Sequence, residues 1–210
     1  MTRTITVGAA QLGPIQRSDS RPTVIKRMLE LLRLAADHRC NLVVFPELAL
    51  TTFFPRWWMT DQEEIDSFFE HEMPGNETAP LFNEAQRLGI GISFGFAEIE
   101  RRGSTVHRFN TSILVDASGR IAGKYRKIHL PGHAENEPWR AFQHLEKRYF
   151  EVGDLGFGVW KTMGGNFGMC ICNDRRWPET YRVMGLQNVE MSCSATTPPA
   201  TTRRRPTTMR

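Results

Sequence analysis

The 210-residue chain reads as an α/β protein on a mixed sheet, and three observations predict it. Apolar segments of strand length alternate with amphipathic segments of helix length through the first half. Residues 42–45 are apolar at every position, which marks a strand covered on both faces. A hairpin then intrudes in the middle of the chain, and hairpins join antiparallel strands. The length suits one domain with a sizeable core.

Taken in order, Ile5, Val7 and Ala9 alternate as a first strand. Pro22 suits the first turn of a helix on which Val24, Ile25, Met28, Leu31, Leu32 and Ala35 recur at helical spacing. After the buried strand at 42–45, a second helix is expected from Asp61 to about Glu70. A third runs from near Thr78 to just before Gly89. Residues 90–99 read as a strand. Residues 110–115 and 120–125 are two more, joined by Asp116-Ala117-Ser118-Gly119, whose side-chain acceptors and glycine suit a tight turn. Residues 167–172 form a last apolar strand, and Pro178 opens a helix reaching Met184. There is no internal repeat.

Composition narrows the class. Forty per cent hydrophobic and 24% charged residues are ordinary for a globular enzyme. No apolar run approaches the roughly 18 residues that cross a bilayer. The N-terminus, with a lone Arg3 before a strand-like stretch, does not read as a secretion signal, so a cytoplasmic location is expected. In that setting Cys40, Cys170, Cys172 and Cys193 are expected as thiols. The formal charge of +4 resides in residues 195–210, which carry Arg203, Arg204, Arg205 and Arg210 and no acid. Without those four, the 27 basic residues fall to the number of acidic ones, 23. A basic nucleic-acid surface is therefore not expected.

Three stretches carry residues able to do chemistry. Phe45-Pro46-Glu47-Leu48 sets a carboxylate directly after a buried strand. Lys124-Tyr125-Arg126-Lys127-Ile128-His129 places cations and an imidazole where a strand runs into a loop. The run from Cys170 through Cys172, Asn173, Asp174, Arg175 and Arg176 to Glu179 ends an apolar strand with a thiol and turns abruptly polar. Strand ends are where an α/β scaffold presents side chains to a cleft. A cysteine is mostly un-ionised at pH 7 and needs a base or cation nearby to become a nucleophile. A buried glutamate can take its proton, and a lysine can stabilise both the thiolate and an oxyanion. Taken singly, each residue also has an ordinary reading: Glu47 as a loop carboxylate, Lys127 as a solvated cation, Cys172 as a small core residue. Cys170 and Cys172 are expected to share one face of their strand, so spacing alone does not choose between them.

In this order and spacing the three stretches resemble the nitrilase superfamily of carbon–nitrogen hydrolases, over residues 1 to about 193. The stretches 47–57, 124–133, 142–150 and 172–179 are similar to those of N-carbamoyl-D-amino-acid hydrolases in particular. The resemblance implies a four-layer αββα sandwich, incomplete at the C-terminus, and assembly as a homo-oligomer. It implies Cys172 as nucleophile, Glu47 as general base, Lys127 as oxyanion stabiliser and Glu146 as a second glutamate orienting the lysine and substrate. His129 and His144 would line the pocket. Arg175 and Arg176, with Asn173 beside them, would hold the substrate carboxylate, a pairing guanidinium geometry favours. The implied reaction is hydrolysis of an N-carbamoyl-D-amino acid to D-amino acid, ammonia and carbon dioxide through a carbamoyl thioester. It needs no metal or organic cofactor. The alternatives are another amidase of the superfamily, a ureidopropionase-like enzyme, or a non-catalytic fragment that associates with intact subunits.

Residues 195–210 use only Ala, Thr, Pro, Arg and Met. That monotony is what a GC-rich gene gives when read out of frame, and the resemblance ends there. The expected organisation is thus a partial hydrolase domain over residues 1–194 and a non-native, disordered tail over 195–210. Such a chain is expected to be weakly active or inactive.

Overall fold

The computed structural model describes residues 3–196. The expected tail lies outside them, apart from Ala195 and Thr196. Strand β1 (Val7–Ala9) leads into helix α1 (Arg21–Asp37), whose N-cap Ser20 accepts a hydrogen bond from the Thr23 N–H. Helix α1 buries Val24, Ile25, Met28, Leu32 and Ala35 along one stripe. Strand β2 (Leu42–Val44) follows, then helix α2 (Gln62–Asp66), strand β3 (Phe69–Glu70) and helix α3 (Ala79–Leu88). Gly89, left-handed at φ 65°, closes α3, as its place after the last apolar position predicts.

The expected second helix is corrected. It stops at Asp66, because Phe68 and Phe69 are both buried and residues 69–70 pair in parallel with a neighbouring strand. The two following strands, β4 (Gly91–Arg102) and β5 (Thr105–Val115), form one long hairpin rather than two short strands. Its charged tip hid it from hydropathy, since the hairpin runs past the core and is held there by backbone pairing.

Strand β6 (Ile121–Arg126) completes a mixed sheet in the order β1-β2-β4-β5-β6, with β3 branching onto β4. A short helix α4 (Glu146–Tyr149) precedes a second sheet of β7 (Val159–Thr162), β8 (Gly165–Ile171) and β9 (Met191–Ala195). Helix α5 (Pro178–Leu186) links β8 to β9, and this crossover leaves the two strands parallel.

The layers follow from the alternation of side chains. Val43 and Phe45 join Ile92, Phe94 and Phe96 under α1 and α3, while Leu42 and Val44 turn to the other face. There Leu42, Leu114 and Tyr125 meet Phe167, Met169, Ile171 and Cys193 of the second sheet. On the far side of that sheet, α5 seats buried Met184 against Gly168, where a Cβ would lie 2.4 Å from the methionine sulfur. The result is the expected αββα sandwich. An aromatic cluster of Phe54, Phe68, Phe69, Tyr149 and Phe150 fills one end and ties the loop after β2 to α4. No helix among the described residues is long and apolar enough to cross a membrane.

Candidate active site

Glu47 is delivered by a loop that does not leave its sheet cleanly. Past β2 the backbone keeps pairing with β4: Phe45 N–H donates to Ser93 O (2.7 Å) and Ala49 N–H to Gly95 O (2.7 Å). Leu48 adopts φ 49°, which turns the chain sharply. A Cβ on Gly95 would lie 2.9 Å from both Glu47 Cα and Leu48 N, so only glycine allows this approach. Tyr149 then clamps the loop, accepting from Met59 N–H (2.9 Å) and donating to Trp57 O (2.7 Å).

Lys127 follows β6 directly, its N–H donating to Asn110 O (2.8 Å) and its carbonyl accepting from Gly153 N–H (2.9 Å). Its ammonium donates to Glu47 Oε1 at 2.6 Å and to Glu146 Oε2 at 2.5 Å, with all three side chains essentially sealed from solvent. Burial works against the charge on Lys127, but Glu47, Glu146 and Cys172 outweigh it and raise its pKa, so the lysine stays charged. Asn110 Nδ2 donates to Glu47 Oε1 (2.8 Å), and His144 Nε2 sits 3.0 Å from Glu146 Oε1. One cation thus lies between two carboxylates, each held by a further polar group.

Cys172 begins a 3-10 turn (Cys172–Arg176) immediately after β8. Phe167, Met169 and Ile171 face the core between the sheets, whereas Cys170 lies against Ser192 (Sγ to Oγ 3.9 Å) on the other face. Strict alternation would send residue 172 to the Cys170 side. At φ 45°, Cys172 leaves the strand in the left-handed region and joins the inter-sheet side instead, within the fields of Glu47, Lys127 and Glu146. The expectation that the two cysteines share a face is therefore corrected. Burial pushes the Cys172 thiol up to about 11, Glu47 and Glu146 push the same way, and Lys127 and Arg175 offset this only in part. The resting sulfur carries its proton. Like the other three cysteines, it is a free thiol.

The remaining expected residues lie on the loop after β6 and on the turn after β8. His129 is stacked between Trp177 (centroids 4.7 Å, 10° between planes) and Phe157 (5.9 Å, 19°). Asn173 Nδ2 donates to His129 O (3.1 Å). Arg175 and Arg176 are exposed on the turn, and an Arg175 guanidinium nitrogen lies 3.4 Å from Cys172 O. Among the described residues, no His, Cys, Asp and Glu group is arranged to hold a metal ion.

Sequence reasoning missed Asn110, Gly95 and Asp174. Asn110 had a signal: with Thr111 and Ser112 it makes a run of three polar residues between Phe109 and the apolar residues 113–115, and all three are buried. Asp174 lies in the polar run after Cys172, where residue type and spacing carry no sign that it is buried. Gly95 had no signal, because its role depends on how closely a distant loop approaches.

Residues 6–209 match the carbon–nitrogen hydrolase family. N-carbamoylputrescine amidase of Solanum lycopersicum is 31% identical over 192 residues, which cover 90% of this chain and 57% of that protein. Citrullinase of Francisella tularensis is 29% identical over 157 residues, 75% of this chain and 50% of that one. A carbon–nitrogen hydrolase from Helicobacter pylori G27 superposes with a TM-score of 0.75 at 25% identity, over 96% of this chain and 63% of the other. The chain thus spans between half and two-thirds of the length of these relatives.

Proposed function

The chain belongs to the carbon–nitrogen hydrolase family, and from that premise we propose that it cleaves the carbamoyl group of an N-carbamoyl amino acid with Cys172 as nucleophile. The observation that carries this reading is the sealed Glu47–Lys127–Glu146 group beside a protonated thiol. Glu47 takes the Cys172 proton as the sulfur attacks the carbamoyl carbon. The Lys127 ammonium stabilises the oxyanion that forms, and Glu146 keeps the lysine aimed. Collapse expels a nitrogen with the proton Glu47 had taken and leaves a carbamoyl thioester on Cys172. Water, deprotonated by Glu47, then attacks the thioester, and the sulfur leaves with that proton; the carbamate set free loses carbon dioxide and so releases the second nitrogen, and the products sum to amino acid, ammonia and carbon dioxide.

Substrate choice rests on the rim. Arg175 and Arg176 are exposed on the turn; in this reading they hold the substrate carboxylate, and Asn173, His129 and His144 line its approach. We assign the D-enantiomer of the N-carbamoyl amino acid on the sequence resemblance. A second reading, a carbamoylated amine without a carboxylate, is favoured by the similarity to N-carbamoylputrescine amidase.

Ammonia release from N-carbamoyl-D-phenylalanine, its L-enantiomer and N-carbamoylputrescine, assayed with the 210-residue chain, tests both readings. Turnover is expected to be weak and fastest with the D-compound, and Cys172→Ala to abolish it. A preference for the putrescine compound would replace the first reading with the second. Turnover that survives Cys172→Ala would remove both.

A further inference from the structure

We propose that Asp174 positions the reaction centre: its buried carboxylate holds the turn that takes Cys172 out of strand alternation and fixes His129 beside it. This rests on the reading of Cys172 as nucleophile but goes beyond it, since Asp174 acts through its neighbours.

Asp174 is fully buried, and both of its oxygens are occupied. Oδ2 accepts from Ile171 N–H (3.0 Å) and from the Tyr125 hydroxyl (2.7 Å). Oδ1 accepts from His129 N–H (2.9 Å) and lies 2.9 Å from His129 Nδ1. Its backbone carbonyl accepts from the Thr180 hydroxyl (3.0 Å) and Trp177 N–H (3.1 Å). One residue therefore joins β6, the loop after it, the end of β8 and the start of α5.

Two consequences reach the site. The bond from Ile171 N–H to a side chain three residues on closes a tight ring around Cys172. A cysteine resists the left-handed conformation, so that conformation must be imposed by its surroundings, and this ring imposes it. The carboxylate also requires His129 Nδ1 to carry a proton. Stacking on Trp177 and Phe157 fixes the ring plane, and Asp174 fixes its rotation.

Asparagine cannot substitute. Its single oxygen can face Ile171 N–H or His129 N–H but not both, and the other would meet an NH2 group. In Asp174→Asn we expect turnover to fall about 100-fold, the scale of a reactive group displaced by an ångström. Cys172, released from its neighbours, should titrate lower, so its alkylation by iodoacetamide near neutral pH should quicken as turnover falls. Peptide mass mapping across a pH series reads this directly. Leu32→Ala, buried on α1 on the far face of the first sheet, is the stability-matched control. It should lower the Tm without moving the titration midpoint of Cys172.

A midpoint in folded Asp174→Asn equal to that of the parent would overturn the proposal. Should that variant not fold, Tyr125→Phe removes one of the same bonds and must move the midpoint in the same direction; no movement there overturns it equally. Turnover of Cys172→Ala separates this from the function proposed above. If Cys172→Ala keeps turnover the nucleophile assignment fails, whereas the positioning role stands or falls on the midpoint alone.

Discussion

Glu47 acts on the Cys172 thiol in two opposed ways. As a nearby negative charge it helps hold the proton on sulfur, behind only burial in its effect, and in the proposed reaction it is also the group that removes that proton. Glu47→Gln separates the two. With the charge gone, the thiol midpoint should drop from about 11, while turnover falls on the order of 10²- to 10⁴-fold for want of a base. Iodoacetamide titration and ammonia release on one preparation check both halves, and a midpoint that stays or rises would contradict the arrangement. The types and order of Glu47, Lys127 and Cys172 could be read from the chain. Their supports could not: Asn110 reaches Glu47 from a strand hairpin 63 residues away. The choice between Cys170 and Cys172 likewise depends on a backbone angle, which no spacing rule contains.

Among the elements, the hairpin β4–β5 matters most, because it lies against the Glu47 loop at Gly95. Gly95→Ala would press a methyl onto backbone at Glu47 and Leu48, where no side chain can move aside. Overpacking of this kind costs about 1–3 kcal/mol, visible as a lower denaturation midpoint. Turnover should fall further than that loss of stability explains, since the carboxylate shifts with the loop. Unchanged activity in the folded variant would show the loop is free to adjust. Helices α1 and α3 were legible because proline starts, a glycine stop and regular apolar spacing all agreed. Strands β3, β7 and β9 were not, because two- to five-residue strands have too few positions to show a period. The reach of the second expected helix failed for a related reason. Phe68 and Phe69 fit a helix stripe as well as an aromatic cluster, and pairing with β4 decided it.

Across the whole molecule, charge networks set the response to acid. Burial alone would raise Glu98 and Asp154, but Arg126, with Lys124 on Glu98 and Arg102 on Asp154, outweighs it. Asp154 is held at about 2 and Glu98 below its ordinary range. Carboxylates depressed in the folded state add stability that is complete above their unfolded pKa of about 4 and lost as pH falls through the folded value. The Tm should therefore be level from pH 7 to 5 and decline from about pH 4 towards 2. Arg126, almost wholly buried against Phe109, anchors this network, and Arg126→Met should cost about 3–5 kcal/mol at neutral pH. Its acid decline should also be shallower, because protonation would then relieve the stranded carboxylates. A parallel decline in both proteins would assign the acid response to other groups. The left-handed backbone at residue 172 places another burden on global stability, of about 1–3 kcal/mol for a side chain of this kind. Glycine or asparagine would carry that angle more comfortably. A library of this protein selected for heat resistance alone would thus be drawn towards discarding its sulfur, and thermal engineering here calls for a parallel selection on turnover.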